Sequence, residues 1–454
     1  MLVEFKVKNY KSFAEETIFS MVAAQKQKGL DYSLLKKKVR IKVDGKIKKK
    51  TINGLCSSVI YGPNAAGKTN IIGAMETLKE IVLRGDIKNR NPEKESSPNT
   101  AAFILETIPN TQISESQPVE FSIEFIENDW LINYTISIDL DSFFNNEYQR
   151  SIIKEILTVN GDVIFDRKKD LLISINLKII EDYISDSAKR QENVACGFAK
   201  DSLQPETLFL TNGFKSIFSV KFAEFITNWF KNKFRLIYRS DAMKIIKEFE
   251  KPQTNQLYLE KPVSEAIRLF GVNANDVGYV VRDNDSEPVL CSICKNMQNG
   301  KTFAMSAELI ESLGTIRFIN LFPLVLDAIK NGRTLVIDEF DASIHPMALM
   351  SIINIFHNDD INVKNAQLIF NTHNPIFLNS NLFRRDEIKF VERDDDTHFS
   401  TLYSLSDFGT TGEKGVRKHE DYMKNYFISQ YGAIKDIDFT PIFEEMLPSK
   451  NKDV

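Results

Sequence analysis

Alternating apolar and charged residues predict β-strands in the first third of the chain. Residues 3–8 alternate with period two, which is typical of a half-buried strand. A second alternation over 39–43 meets Asp44-Gly45 and returns through 46–48, which predicts a β-hairpin. Further antiparallel strands are predicted over 119–125, 131–140, 152–159 and 163–165. The pattern predicts an antiparallel β lobe.

Short apolar runs and helical spacing predict a second kind of architecture. Short, mainly apolar runs at 55–61, 334–337 and 367–371 are typical of strands buried on both faces. Apolar residues recur at helical spacing over 70–84 and again from 315 to 328, where Asn331-Gly332 provides a C-cap. Pro323 is expected to kink this second helix or to end its first segment. Residues 171–270 show helical spacing throughout, and strands are predicted again over 277–281, 289–294 and 301–305.

Composition narrows the class of protein. The 454 residues are 43% hydrophobic and 26% charged, with a formal net charge of −4, as in ordinary globular proteins. Near-neutrality argues against a protein that coats nucleic acid or anionic membrane over its whole surface. Neither a signal peptide nor a segment of membrane-spanning length is recognised, and four cysteines are too few for a disulfide framework. We therefore expect a cytoplasmic protein with no membrane partner.

The strongest chemical signal is a phosphate-binding loop between a predicted buried strand and a predicted helix. Gly62-Pro63-Asn64-Ala65-Ala66-Gly67-Lys68-Thr69 is a complete G-x-x-x-x-G-K-T motif, followed by Asn70. Its backbone N–H groups and the helix N-terminus are suited to phosphate oxygens. Lys68 is expected to reach the β- and γ-phosphates of ATP, and the Thr69 hydroxyl is expected to bind Mg²⁺.

Two further strands end in polar residues. The run 334–337 is followed by Asp338-Glu339, at the strand end where open α/β sheets place their ligands. Asp338 is the expected Mg²⁺ ligand, and Glu339 is the expected general base that orients water. His373 follows the run 367–371 and can donate a hydrogen bond to the γ-phosphate or the attacking water. Alone, His373 would more simply be a histidine satisfied by a neighbouring loop.

A fourth motif, Glu311-Ser312-Leu313-Gly314-Thr315, precedes the helix that contains Pro323. Ser312 is by itself only an N-cap, although Ser312 and Gly314 at a helix N-terminus also offer a second phosphate-binding surface. The order of the motifs, from P-loop to Ser-x-Gly, Asp-Glu and His, resembles the ATP-binding-cassette (ABC) ATPase head in its SMC/RecF/OLD branch. The segments 7–13, 311–317, 338–346, 402–408 and 430–434 look like those of bacterial RloA-like, abortive-infection ATPases.

This resemblance implies heads that dimerise on ATP, with Ser312 and Gly314 of one chain covering the nucleotide of another. It also implies slow hydrolysis, a role in defence against phage, and a loop at 341–346 that crosses the dimer interface. Lys11 matches a place where the superfamily can put a basic residue near the phosphates. The signature departs from the Ser-Gly-Gly-Gln form of transporters, and the glutamine loop is not fixed, with Gln112 and Gln117 as candidates.

Three other signals have simpler interpretations. Cys291 and Cys294 are spaced like zinc ligands, but on a strand their thiols point to opposite faces and no second pair is near. Asp394 to Asp396 resemble the acidic cluster of a nuclease domain, although a turn between strands is the better interpretation; a nuclease would be a separate polypeptide. The segment 36–50 has nine basic residues and one acid, so it either binds nucleic acid or forms a solvated strand face.

The sequence thus predicts an α/β P-loop fold, an ABC-type head with a mixed sheet and an antiparallel β lobe, split by a mainly helical insertion. The expected division is 1–165 for the first half of the head, 166–275 for the insertion and 276–454 for the second half. The leading hypothesis is an ATPase whose head dimerisation controls a nuclease-like or otherwise toxic effector. The alternatives are a RecF/SMC-like ATPase of DNA maintenance and a nucleotide-gated scaffold with negligible hydrolysis.

Overall fold

The structure is a computed structural model of the whole chain. It describes residues 1–24, 30–43, 46–88, 107–113, 115–140, 150–168, 173–201, 203–238, 257–258, 261–272, 274, 276–280, 289–409, 415–417 and 420–446. The turn predicted at Asp44-Gly45 lies outside these residues. So do most of the segment 87–100, whose Asn, Pro, Ser and charged residues predict a loop, and the polar tail at 448–454.

The chain alternates strands with helices. The strands are β1 (Leu2–Lys8), β2 (Thr17–Ser20), β3 (Leu34–Val43), β4 (Lys46–Leu55), β5 (Ser57–Tyr61), β6 (Val119–Glu127), β7 (Trp130–Asp139), β8 (Ser151–Val159), β9 (Asp162–Lys168), β10 (Ile173–Ile175), β11 (Phe234–Ile237), β12 (Leu257–Tyr258), β13 (Asp276–Val280), β14 (Val289–Lys295), β15 (Thr302–Ser306), β16 (Thr334–Ile337), β17 (Gln367–Asn371), β18 (Ile388–Arg393) and β19 (Ser400–Ser404).

The helices are α1 (Lys68–Arg84), α2 (Asp186–Arg190), α3 (Glu192–Asp201), α4 (Val220–Asn228), α5 (Lys261–Phe270), α6 (Ala307–Ile310), α7 (Leu313–Asn331), α8 (Pro346–His357), α9 (Tyr422–Phe427) and α10 (Thr440–Met446). Two π-helical segments, Leu210–Phe218 and Trp229–Lys233, flank α4. No helix of the described part of the chain has the length and apolar character needed to cross a membrane.

A six-stranded sheet carries the candidate site. Its order is β11-β16-β17-β5-β18-β19, and its first five strands run parallel while β19 is antiparallel to β18. The strands β5, β16 and β17 are buried at every position, which is why their sequences are rich in apolar residues and show no alternation with charged ones. Helices α7, α8 and α9 contribute to the core on one face of this sheet, while α1 and the antiparallel lobe contribute to the core on the other.

The other sheets are antiparallel. A seven-stranded sheet has the order β10-β9-β8-β7-β6-β1-β2, and a four-stranded sheet has the order β12-β13-β14-β15. Strands β3 and β4 pair with each other as the predicted hairpin. The predicted strand pairs of the β lobe are therefore confirmed. The fold class is confirmed as well, since the structure combines a mixed α/β sheet with an antiparallel lobe.

The segment predicted to be helical, 171–270, contains strands as well as helices. Most notably, β11 pairs in parallel with β16 and forms the edge of the central sheet. The sequence pattern missed β11 because a four-residue strand gives too short an alternation to stand out after the helical spacing of α4. The assignment of 166–275 as a separate insertion stays a prediction, although this segment contributes to the head's sheet.

Aromatic side chains also tie the helical segment to the head. Trp229 stacks on Phe125 of β6, with ring centroids 3.8 Å apart, and Phe230 contacts the same ring edge-on. These residues belong to the apolar core that contains the inner face of α1. The segment around α4 therefore packs directly on the helix that follows the P-loop.

Helix α7 runs through Pro323 without ending there, so the first helical segment does not stop at the proline. Ser312 is its N-cap, as the sequence predicts, and Gly332 closes it in a left-handed conformation with φ of 62°. The proline removes one N–H donor. Burial of the flanking Leu321 and Leu324 in the core supports helical continuity across that missing bond.

A buried polar network holds the β lobe to the helical segment. Glu155 on β8 accepts hydrogen bonds from the Tyr134 hydroxyl at 2.9 Å and from the N–H groups of Phe209 and Leu210 at 2.7 and 2.9 Å. Arg167 on β9 pairs with the same carboxylate at 3.3 Å and also donates to the Thr207 carbonyl. The carboxylate therefore receives donors from three directions, which offsets its burial.

Candidate nucleotide-binding site

The predicted P-loop connects the end of β5 to the start of α1. Gly62 and Gly67 have φ of 155° and 113°, and a Cβ atom at Gly62 would lie 2.3 Å from the Val391 carbonyl oxygen. Ala65 is also in the left-handed region, with φ of 62°. The loop therefore needs glycine at both ends, because β18 leaves no room at the first and the backbone turns sharply at the second.

Lys68 folds back over this loop. Its amine donates to the carbonyl oxygens of Gly62 at 2.7 Å and Pro63 at 2.9 Å. Burial lowers the pKa of Lys68 to about 8, against the opposing effect of the carboxylates of Asp338, Glu339 and Asp341. A buried amine with acidic neighbours at the mouth of a glycine loop is suited to bind phosphate oxygens.

Two serines support the P-loop, and sequence analysis missed both. Ser12 follows β1 and accepts a hydrogen bond from the Asn70 side chain at 2.8 Å. Ser400 on β19 donates to the Ala66 carbonyl at 2.5 Å, and its N–H donates to the Ser12 carbonyl at 2.7 Å. Ser12 lies in the segment 7–13 that carries the resemblance, but no signal in the sequence assigns either serine to the P-loop.

The structure brings together residues of two predicted motifs, the P-loop and the Asp338-Glu339 pair. The Thr69 hydroxyl donates to Asp338 Oδ1 at 3.1 Å, although the two lie 269 positions apart. Asp338 is buried, and its N–H donates to the Ile237 carbonyl of β11 at 2.9 Å. A hydroxyl and a carboxylate are hard oxygen donors of the kind that Mg²⁺ prefers. This donor set, next to the Lys68 amine, fits a magnesium–nucleotide complex.

Glu339 and His373 lie exposed near this pair. Glu339 has φ of 54°, a left-handed conformation uncommon for glutamate, and its side chain is exposed. Partial desolvation of its ring and the neighbouring Lys68 amine lower the pKa of His373, while Asp341 and Glu339 act to raise it. His373 therefore lies within electrostatic reach of the same lysine and acids, as expected for groups that face one ligand.

Ser312 and Gly314 have other neighbours. Ser312 accepts from the Thr315 N–H at 3.1 Å and so acts as an N-cap, with an exposed side chain. Gly314 packs against the loop at 341–346, since a Cβ atom there would lie 2.1 Å from the Ser343 carbonyl oxygen. The start of α7 and this loop therefore form one surface. The contacts described for Ser312 and Gly314 are with Thr315 and Ser343 of this surface.

Lys11 and the two glutamine candidates lie in adjoining loops. Lys11 has φ of 49°, its N–H donates to the Ile108 carbonyl at 2.9 Å, and its amine lies 5.2 Å from the centroid of the Tyr10 ring. The main-chain carbonyl of Gln117 accepts a hydrogen bond from the Asn9 side chain, and the main-chain N–H of Gln112 donates to the Asn110 side chain. The described residues of 107–113 and 115–117 thus include several that contact the loop that also carries Ser12.

The basic hairpin β3–β4 divides its charges between two faces. Its inner face buries Leu35, Val39 and Ile52 against the β lobe. Strand register places Lys36, Lys38, Arg40 and Lys49 on the outer face. The remaining described basic side chains, those of Lys37, Lys48 and Lys50, belong to the inner-face positions. The basic side chains of the hairpin are therefore divided between its two faces.

Fold and site together define a P-loop nucleoside triphosphatase domain. The family described as "AAA domain, putative AbiEii toxin, Type IV TA system" has a model that matches residues 57–379. The chain belongs to this family, and the match includes the P-loop, Asp338, Glu339 and His373.

Two of the solved structures that this chain matches come from SMC proteins. The SMC head domain from Thermotoga maritima is 13% identical, with a TM-score of 0.36, and the match covers 89% of this chain and 98% of that chain. The Smc head domain with a coiled coil and joint from Pyrococcus yayanosii is 12% identical, with a TM-score of 0.34 and coverage of 89% and 96%. The comparison with curated proteins gives no match.

Proposed function

We propose that this protein binds and hydrolyses Mg²⁺-ATP. The observation that carries the proposal is the junction of Thr69, Asp338 and Lys68 at the mouth of the P-loop, built from segments 269 positions apart. The segment Gly62 to Asn70 holds the phosphates, with Lys68 as their cationic partner, and Thr69 and Asp338 hold the metal. When bound, Mg²⁺ would neutralise part of the negative charge of the phosphates.

The hydrolytic roles are assigned to the exposed side chains beside this junction. Glu339 orients a water molecule and accepts its proton, and His373 donates a hydrogen bond toward the γ-phosphate. Their positions beside Lys68, after the ends of β16 and β17, support these roles. Lys11 approaches the phosphates from the loop that carries Ser12, which contacts Asn70.

The catalytic unit is a homodimer or higher oligomer in which ATP is held between two heads. The exposed Ser312 and the neighbouring Gly314 cover the nucleotide of a second copy, and the loop at 341–346 crosses the interface. Support comes from the packing of Gly314 on Ser343, which gives the start of α7 and this loop a common surface.

The biological role that we propose is control of a separate effector in abortive infection, in the manner of RloA-like ATPases. Its support is the family, whose description names a toxin and a type IV toxin–antitoxin system. In the native host, the Glu339→Gln variant should lose protection against phage while the protein accumulates normally. Equal phage plating on wild-type and variant cells would contradict the defence role.

Hydrolysis is tested with the same substitution in the purified protein. Glu339→Gln should lower phosphate release by at least about 100-fold, the usual range for loss of a general base, while ATP affinity changes less than about threefold. Asp360→Asn, at an exposed position in the loop before β17, is the control and should behave as wild type. Normal turnover in Glu339→Gln would show that another group activates water.

A second candidate function is DNA binding by a RecF/SMC-like head, because the outer face of the β3–β4 hairpin is basic. Two triple variants with equal charge change separate the possibilities. Replacing Lys36, Lys38 and Lys49 by Gln should weaken salt-sensitive DNA binding, since each lost phosphate contact lowers the salt slope by about 1. Replacing Lys37, Lys48 and Lys50 should have a smaller effect. Equal DNA affinity in wild type and both variants would show that this hairpin is not a DNA-binding surface.

A further inference from the structure

One buried amide joins the two strands that end at the candidate site. Asn371, the last residue of β17, is 2% exposed. Its side-chain oxygen accepts a hydrogen bond from the Glu339 N–H, and its side-chain nitrogen donates to Asp338 Oδ1. Its carbonyl also accepts from the Phe340 N–H at 3.3 Å. A single residue therefore contacts three consecutive residues after β16.

These contacts fix features that the backbone alone would not hold. Glu339 adopts a left-handed conformation, which is unfavourable for an L-residue, and the bond to Asn371 holds its N–H in that orientation. Asp338 Oδ1 receives the Asn371 amide and the Thr69 hydroxyl together. The carboxylate is thereby oriented both from the P-loop helix and from β17.

We infer that Asn371 is a positioning residue that sets the orientation of Asp338 and Glu339 for metal binding and hydrolysis. The inference rests on the proposed function. Asparagine suits this place because one side chain must both donate to a carboxylate and accept from an N–H. An aspartate would keep the acceptor but set a second negative charge against Asp338.

Two substitutions test the two bonds. Asn371→Ala removes both, and we expect kcat to fall about 10–100-fold, the usual cost of losing a group that orients a metal ligand. Asn371→Asp keeps the size and the acceptor yet replaces the donor, so it should be at least as impaired as Asn371→Ala. Wild-type kcat in both variants would show that Asn371 only fills space.

A binding measurement provides a readout that is independent of turnover. The affinity for a fluorescent, non-hydrolysable ATP analogue is measured with Mg²⁺ and with EDTA. In Asn371→Ala, affinity in EDTA should stay within about threefold of wild type, whereas the gain from Mg²⁺ should shrink by about tenfold. An unchanged gain from Mg²⁺ would overturn the inference.

The matched control is Asn362, which lies before the opposite end of β17. Asn362 is 5% exposed, and its amide donates to the Phe356 and Ala366 carbonyls and accepts from the Ala366 N–H. Asn362→Ala should lower thermal stability but retain kcat and the Mg²⁺ gain. If Asn362→Ala loses as much kcat and as much of the Mg²⁺ gain as Asn371→Ala, the effect of Asn371 is on overall stability and not on positioning.

The outcomes separate the inference from the proposed function. If wild type binds and hydrolyses ATP while both Asn371 variants match it, only the positioning role fails. If wild type neither binds nor hydrolyses ATP with Mg²⁺, the proposed function fails and the inference fails with it.

Discussion

Replacing Gly314 by alanine should strain the contact between α7 and the loop at 341–346. The added Cβ would lie 2.1 Å from the Ser343 carbonyl oxygen, so the two segments must separate by about 1.3 Å to reach ordinary contact distance. Ser343 is itself in a left-handed conformation, with φ of 63°, so its loop has little freedom to relax. Overpacking of this kind costs about 1–3 kcal/mol.

Gly197 provides the matched control for this substitution. It also lies in a helix, α3, but a Cβ there would meet nothing within 4 Å. Gly197→Ala should therefore stabilise the protein by up to about 1 kcal/mol through helix propensity alone. Urea denaturation of both variants measures the difference, and phosphate release should fall only in Gly314→Ala. If Gly314→Ala is as stable as Gly197→Ala, the packing of α7 on this loop is not as tight as described.

Three further predictions concern ionisable groups. Because the pKa of Lys68 is about 8 in the free protein and bound phosphate would raise it, ATP affinity should fall about tenfold between pH 7 and pH 9. Calorimetry on Lys68→Arg, which stays charged, should show no such fall, and an equal fall in both would refute the linkage. Burial lowers the pKa of Lys389 to about 8, so the unfolded chain binds more protons between about pH 8 and 10.5 and the free energy of unfolding should rise with pH there. In denaturation experiments Lys389→Met should lack this rise, which amounts to at most about 3 kcal/mol. Parallel curves of unfolding free energy against pH for wild type and variant would contradict the prediction. Glu155→Gln should cost about 3–5 kcal/mol of stability because it leaves the Arg167 charge buried without its partner, and a loss below 1 kcal/mol would show that the arginine's carbonyl contacts suffice.

Local pattern was enough to predict most of the elements that position the site. The buried strands β5, β16 and β17 appear as apolar runs, and the P-loop, Asp338, Glu339 and His373 follow them directly in the sequence. The helix α7 was predicted with both caps, because Ser312 and Gly332 are specific capping residues. The sequence could also suggest that Lys68 and Asp338 meet, since both belong to motifs that bind one nucleotide.

Features that depend on contacts between distant segments could not be predicted. Strand β11 has only four residues, and its parallel pairing with β16 spans about 100 positions. Asn371 carries a faint signal, a polar residue that ends an apolar strand, but its bonds to Asp338 and Glu339 require that β16 and β17 be neighbours. Ser12 and Ser400 come from opposite ends of the chain to support the P-loop. These contacts form only when distant segments pack together, and local periodicity does not encode that packing.

The position of β5 in its sheet has a consequence for biosynthesis. Both neighbours of β5, the strands β17 and β18, are translated about 300 residues after it. At about 5–20 residues per second, the ribosome takes roughly 15–60 s to supply them. During that time the nascent chain carries an apolar strand with two open edges, which is the usual template for aggregation. We therefore expect the yield of native protein to depend on chaperones and to rise when synthesis is slowed by cooling.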